Sequence, residues 1–267
     1  MTRDWLKMLL TKISVFWTFV LFVYGLLFGS FANVIAYRVP RRESILYPSS
    51  RCPNCSYRLS MTDLIPVLSW LALRGRCKSC KTPILQMYPV VELSLGVLWV
   101  LTLWQSNSLA QLIVWAVFWF FLLIVVGTDL TSMRVPNCLS LPAFIFFFAA
   151  SVLSEIQTWQ SAAEGALAGF CTLYIVHQLS KGKMGLGDVK LYLVIGTMLG
   201  PWSTIVSFIL ACGCGTCIGA FLFIRGSLQR GQPMPFVPYI AMGVILSAFF
   251  GQKLVFWYIE TILHLSY

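Results

Sequence analysis

Charge is what this sequence has least of. Of its 267 residues 10% are Asp, Glu, Lys or Arg, while 58% are hydrophobic; a soluble domain carries about a quarter charged. Too few polar side chains remain to cover a soluble globule, and the mean hydropathy is +0.81. These values argue against a soluble enzyme, a disordered chain and a secreted disulfide scaffold, and make the lipid bilayer the expected solvent for most of the chain. Histidine is nearly absent, with His177 and His264 the only two. No His-Glu-x-x-His and no Gly-x-Ser-x-Gly occurs, which argues against a membrane metalloprotease and against a Ser–His pair. Each His is expected to pack rather than react. Acids are scarce too, nine against nineteen bases.

The resulting net charge of +10 is concentrated in one place. Nine bases lie between Arg38 and Lys81, opposed only by Glu43 and Asp63, so that segment alone carries +7. In a membrane protein such a segment reads as a cytoplasmic loop. No RNA-binding motif accompanies the charge, so no nucleic-acid partner is expected.

Apolar runs follow at 13–36, 89–104, 109–127, 138–153, 162–179, 189–199, 203–224 and 237–263. The first is uncharged and long enough to cross the hydrocarbon core. It reads as a retained helix, because a secretory signal has a shorter apolar core and a small-residue cleavage site. The run at 189–199 is the weakest, being short and ending at Gly200-Pro201. The expected fold is an all-α polytopic membrane protein of about eight transmembrane helices with a small cytoplasmic four-cysteine loop domain. Its parts are a tail and first helix (1–37), the basic loop (38–88) and a multi-helix membrane domain (89–267). With that loop inside, eight crossings put fifteen bases inside and four outside, namely Arg3, Lys7, Lys12 and Lys253, as the positive-inside bias requires. Four Gly-x-x-x-Gly pairs, Gly25/Gly29, Gly165/Gly169, Gly196/Gly200 and Gly215/Gly219, are candidate sites of close helix approach in lipid.

Within the basic loop, Cys52-Pro-Asn-Cys55 and Cys77-Lys-Ser-Cys80 form two knuckles separated by 21 residues. Four thiolates at this spacing can close a tetrahedron around Zn²⁺. A closed four-sulfur site leaves no position for water, so the metal would be structural, organising a loop too small for its own core. Two disulfides or a redox pair are the alternatives, which a cytoplasmic location disfavours. Cys138, Cys171, Cys212, Cys214 and Cys217 fall in apolar runs and are expected as small buried packing residues.

Two acids stand at the edges of spans. Asp129 ends the third run, and Asp188 precedes the sixth in Gly185-Leu-Gly187-Asp188-Val-Lys190. An ionisable group at a span edge is a functional hypothesis. Two carboxylates brought together share a proton, so one can activate water while the other protonates a leaving amine. Gly185 and Gly187 would permit close backbone approach beside Asp188. The competing reading is two helix-flanking acids paired with Arg134, Lys183 or Lys190.

Several blocks in one order resemble the type IV prepilin leader peptidases, from about Gly29 to Gly243. They include Gly29-Ser-Phe-Ala-Asn33, Arg38-Val-Pro40, the two cysteine knuckles, Asp63-Leu-Ile-Pro66 with Trp70, Tyr88-Pro89-Val-Val-Glu92 with Gly96, Asp129 with Pro136 and Pro142, Gly185 to Lys190, and Pro235-Phe236 with Pro238. The resemblance implies a GxGD-type aspartic protease of the bacterial inner membrane. It would cut the basic leader from type IV prepilins or type II secretion pseudopilins after a glycine, at the cytoplasmic face. It maps the two catalytic aspartates onto Asp129 and Asp188, supported by Gly185, Gly187 and Lys190, and the zinc ligands onto Cys52, Cys55, Cys77 and Cys80. It also implies N-methylation of the new N-terminal residue from S-adenosylmethionine, with Glu43, Glu92 and Gly96 as the residues to examine. Two positions depart from the family pattern: Asn137 stands where an acid often follows the proline, and Val237 replaces a glycine. An ion- or proton-coupled transporter with a regulatory zinc loop is the alternative, and predicts acids nearer mid-span and an internal repeat. A non-enzymatic membrane scaffold is a third reading.

Overall fold

The computed structural model describes residues 2–181, 184–227 and 234–261, and the side chains of 2–14, 252 and 254–261 lie outside that description. Lys183, Arg230, His264 and the end of the last apolar run therefore lie outside the described residues. Those residues form helices joined by turns and two isolated bridges, with no strand among them. In chain order the helices are α1 (Thr2–Arg38), α2 (Leu68–Ala72), α3 (Met87–Gln105), α4 (Leu109–Ser132), α5 (Asn137–Leu153), α6 (Trp159–Leu179), α7 (Leu186–Ile224) and α8 (Val237–Thr261). Four segments among the described residues are long and apolar enough to cross a membrane: Val15–Arg41, Met87–Gln105, Leu109–Ser132 and Leu186–Ile224. Asn137–Leu153 and Val237–Gly251 are shorter apolar helices. The chain is a multi-pass membrane protein, and it divides into two compact units, Met1–Gly127 and Thr128–Tyr267.

In the first unit α1 packs on α3 through a pair of small-residue faces. A Cβ on Gly25 would lie 2.6 Å from the Gly96 Cα, and one on Gly29 would lie 2.6 Å from the Glu92 Cα. No side chain fits there, so the backbones meet directly. Asn33 donates to the Tyr88 carbonyl at 3.1 Å, tying the far end of α1 to the start of α3. On α4, Trp119 donates to Thr102 Oγ1 at 2.9 Å, and Trp99 of α3 donates to the Ala116 carbonyl at 3.1 Å. Each indole N–H thus finds a partner where water cannot reach. Arg38, buried at the end of α1, donates to the carbonyls of Ser44, Ile45 and Pro48 at 2.7–3.2 Å and folds the loop back on the helix.

In the second unit α7 is not one rod. Gly200 sits at φ 73°, ψ 174°, followed by Pro201. The Tyr192 hydroxyl lies 3.4 Å from Ser207 Oγ, and the Tyr192 and Phe208 ring centroids are 6.1 Å apart. Fifteen residues of straight helix would separate those positions by about 22 Å. The chain therefore reverses at Gly200-Pro201, and α7 is a hairpin of two helices, residues 186–199 and 201–224, matching the two separate hydropathy runs. Gln157 steadies the break by donating to the Met198 carbonyl at 3.2 Å while accepting from Ser161 Oγ at 2.6 Å. The first arm packs on α6, where Gly165 meets the Gly196 and Gly200 backbone and Gly169 meets the Tyr192 carbonyl. The second arm packs on α8, where Gly243 meets Ser207 and Ala211 and Ser247 donates to the Ser203 carbonyl at 2.6 Å. Gly215 and Gly219 make no such backbone contact, their nearest neighbours being side-chain atoms at 3.3–3.6 Å.

Candidate active site

Asp129 lies in the last turn of α4 and Asp188 in the first turn of α7. Their surroundings join the same end of the second unit. A Cβ on Gly187 would lie 2.9 Å from Val135 Cβ, so α7 begins against the turn that follows α4. Three residues on, Lys190 Nζ donates to Asn137 Oδ1 at 2.9 Å. The Asp129 carboxylate lies close enough for its charge to act on Asp188. Asp129 is buried at 7% exposure and Asp188 is half-buried. Asp129 Oδ2 accepts the Val237 N–H at 3.0 Å, and the Phe236 amide also reaches this carboxylate. These amides open α8, so Asp129 is held by the free donors of a helix N-terminus.

Neither acid has a cationic partner among the described residues, where the ion pair is Lys78 with Asp63. Lys190, one of the candidate neutralising bases, is turned to Asn137 instead. Gly185 accepts the Asp188 N–H at 3.2 Å, closing the first turn, and a Cβ there would lie 3.7 Å from Asp188 Oδ2. Both acids stand at helix ends rather than at mid-helix, where a transport reading would put them. Phe236, whose amide reaches Asp129, also lines a cavity of about 240 Å³ together with Cys212, Gly215, Thr216, Met234, Pro235 and Tyr239.

The Asp129–Val237 bond involves a residue that side-chain reasoning could not find. Its donor is a backbone N–H, indifferent to whether the side chain is Val or Gly, and the buried Val237 side chain packs without disturbing it. Asn137 likewise keeps an acceptor for Lys190 where an acid would accept the same donor. His177 closes the turn before α7 through Nδ1 against the Met184 carbonyl at 2.6 Å, a packing role.

The four-cysteine module belongs to the first unit. Its two knuckles are copies of one another. Cys52 and Cys77 donate to the carbonyls of Tyr57 and Thr82, both at 2.9 Å. Ser56 and Lys81, both at positive φ, donate back to Cys52 and Cys77. The bridges Arg51–Arg58 and Arg76–Pro83 close the two turns. The four Sγ atoms lie within 4.8 Å of one another, with Cys52–Cys80 at 3.8 Å and Cys55–Cys77 at 3.9 Å. A tetrahedral zinc with Zn–S near 2.3 Å has sulfur–sulfur edges of about 3.8 Å, so the donor set fits that ion. The Thr82 hydroxyl and amide bring the Cys80 thiol down to about 5. The Cys55 thiol is favoured as thiolate by the Tyr57 amide, but desolvation and the neighbouring sulfurs prevail and push it up to about 11. Four thiolates this close repel one another, and a divalent cation is what lets all four ionise.

The three residues singled out for methyl transfer are not joined by any hydrogen bond or ion pair among the described residues. Glu43 is exposed beyond α1. Glu92 and Gly96 share the face of α3 that packs on Gly29 and Gly25, and Phe22 lies over Gly96 at 3.0 Å from a Cβ built there. The backbone of that face takes part in helix packing, while the Glu92 carboxylate accepts the Val67 N–H at 2.7 Å. Of the five remaining cysteines, expected to be buried, Cys138, Cys171 and Cys217 are exposed and Cys212 and Cys214 half-buried. Cys138, Cys171 and Cys217 sit on exposed faces of apolar helices, whereas Cys212 borders the cavity beside Phe236.

Two family models match the chain: the bacterial peptidase A24 N-terminal domain over residues 23–106, and the type IV leader peptidase family over residues 115–220. Curated relatives carry the name prepilin leader peptidase/N-methyltransferase. The one from Bacillus subtilis (strain 168) is 36% identical over 90% of this chain and 97% of its own length. Those from Aeromonas hydrophila and Stutzerimonas stutzeri are each 30% identical, over 91% and 89% of this chain and 94% and 92% of their own. No solved structure matches.

Proposed function

The chain belongs to the type IV leader peptidase family, and from that premise we propose that it removes the leader from prepilins and N-methylates the terminus so exposed. The observation that carries the peptidase chemistry is the pairing of Asp129 with Asp188 at one end of the second unit, with no base neutralising either among the described residues. The dyad holds one proton. The carboxylate without it takes a proton from water as the water oxygen attacks the scissile carbonyl. The protonated partner then gives its proton to the departing amide nitrogen, and the C–N bond breaks. The Val237 and Phe236 amides fix the orientation of Asp129 throughout. Gly187, packed on Val135, sets where Asp188 starts its helix, and Lys190 on Asn137 braces the same turn.

The substrates are prepilins or pseudopilins, with cleavage after a glycine before their apolar helix. That helix lies among the spans while its basic leader stays at the cytoplasmic face of the inner membrane. The positive-inside count of fifteen bases against four supports that orientation, with about eight crossings and a functional division at 1–37, 38–88 and 89–267. Cys52, Cys55, Cys77 and Cys80 hold a structural Zn²⁺, whose chemistry is to bind the two knuckles into one folded loop. S-adenosylmethionine is the methyl donor of the second activity, and Glu43, Glu92 and Gly96 are the residues to examine for it.

The test is direct. Purified protein in lipid is mixed with a prepilin, and the product is followed by mass spectrometry. Loss of the leader, abolished in Asp129→Asn and in Asp188→Asn, is the expected result, with a further gain of one methyl group only when S-adenosylmethionine is present. Continued cutting in either variant would remove the dyad from the mechanism.

A further inference from the structure

Outside its membrane helices the first unit exposes large apolar side chains that a water-facing loop would not carry. Met61, Leu64, Ile65, Leu68 and Leu71 are exposed to 89%, 41%, 45%, 64% and 57%. Leu68 and Leu71, three residues apart on α2, share a helix face, and Met61, Leu64 and Ile65 belong to the turn just before it. Such a run of exposed apolar side chains, an apolar stripe along a basic loop, marks an interaction surface.

The other side of this segment says where that surface lies. Pro66 is buried, and the Val67 N–H donates to Glu92 Oε2 at 2.7 Å. Val67 is held at φ 62°, ψ −51°, outside the ordinary regions for a β-branched residue. A backbone so constrained persists only when its surroundings fix it, and the Glu92 carboxylate is the group that does so here. Glu92 is the sixth residue of α3, a 19-residue helix. At 1.5 Å per residue α3 needs nearly its whole length to cross a core of about 30 Å. The bond therefore pins the segment about 7–8 Å along α3 from its first residue, just inside the boundary between headgroups and acyl chains. This is the depth at which interfacial amphipathic segments rest, about 5–10 Å in. Exposed bases flank the stripe on either side, Arg51 and Arg58 before it and Arg74 and Arg76 after it, a distribution that complements anionic lipid headgroups.

We propose that residues 61–71 are a membrane-interface wedge, latched to α3 by Glu92, whose apolar stripe inserts among the lipids that surround the protein. The four-cysteine module, continuous with this wedge on both sides, is then carried on the membrane surface. The occupant of the stripe is lipid, because the latch fixes its depth and the flanking charge suits the headgroups.

Site-specific photo-crosslinking of the full-length protein in nanodiscs containing anionic phospholipid tests this. A benzophenone amino acid replaces Met61, Leu68 or Leu71 on the stripe, and Thr62 or Lys78 off it. All five side chains are solvent-exposed or nearly so in the protein, so the fold tolerates the exchange, and zinc content with leader cleavage checks it. Lipid adducts at the three stripe positions, and none at Thr62 or Lys78, are expected. Equal adduct yields at all five positions, no lipid adduct on the stripe, or adducts to a prepilin or a second copy of the chain in place of lipid would each overturn the proposal.

Discussion

In the first unit Asp63 is surrounded by donors. Its Oδ2 accepts from Ser60 Oγ at 2.7 Å, the Ser60 amide at 3.0 Å and the Tyr57 hydroxyl at 3.3 Å, and Lys78 stands 4.0 Å from Oδ1. Ser60 foremost, with Lys78 adding to it, holds that carboxyl below the usual range, as in a capping box at the head of a short helix. In the second unit Asp129 and Asp188 have each other and, for Asp129, two backbone amides. Both units thus contain ordered acids, but in the proposed mechanism only the pair of the second unit moves a proton. A carboxylate that is fully satisfied as an anion is a structural part. A pair left to share charge without a cation is a reactive one.

The same contrast separates the two ways in which the units assemble chemistry. The cysteine site is built from two local turns that repeat one hydrogen-bond pattern. The aspartate site joins the end of one helix to the starts of two others, from residues 59 positions apart and more.

The largest effect should come from breaking the local assembly. Cys52→Ser or treatment with a strong chelator is expected to release one zinc per chain and to remove the free energy that folds the loop, on the order of 10 kcal/mol for structural zinc sites. Hydrogen exchange should then rise sharply over 38–86, while the helices of 128–261 keep their protection; metal analysis and exchange mass spectrometry read both. Next come the acids. Asp129→Asn or Asp188→Asn should each slow leader cleavage by about 10²–10⁴-fold or more, whereas Asp63→Asn should leave the cleavage rate within about twofold if it acts only through the loop. Helix packing gives a smaller effect. Gly165→Ala puts a Cβ into the Gly196 carbonyl and should cost about 1–3 kcal/mol. Gly213→Ala, with nothing within 4 Å of its Cβ, should fall within about 0.5 kcal/mol of wild type in a thermal unfolding assay. Asn137→Asp should also have a small effect. It would turn the Lys190 hydrogen bond into an ion pair at the protein surface and add at most about 1 kcal/mol, with cleavage unaffected.

What could be read from residues alone follows the same division. The knuckles were legible because Cys-x-x-Cys is local and zinc geometry is strict. The helices were legible because uncharged runs must span or be buried, and the Gly200-Pro201 break was visible as a gap between two hydropathy runs. Asp129 and Asp188 could be picked out because acids are rare at span edges, but nothing in their spacing distinguished a dyad from two flanking acids. Their pairing depends on the α7 hairpin and on how α8 begins, which are tertiary facts. The Val237 amide left no trace in side-chain chemistry at all. Glu92 and Gly96 stood out as a motif and also sit where α3 packs on Gly29 and Gly25, and periodicity cannot separate a packing face from a ligand face.

The central claim is that Asp129 and Asp188 work as one unit, and a double-mutant cycle on single-turnover leader cleavage tests it most directly. If they share a proton, the Asp129→Asn/Asp188→Asn variant should be no slower than the slower of the two single variants. Losses that multiply in the double variant, each acid contributing independently of the other, would contradict the account.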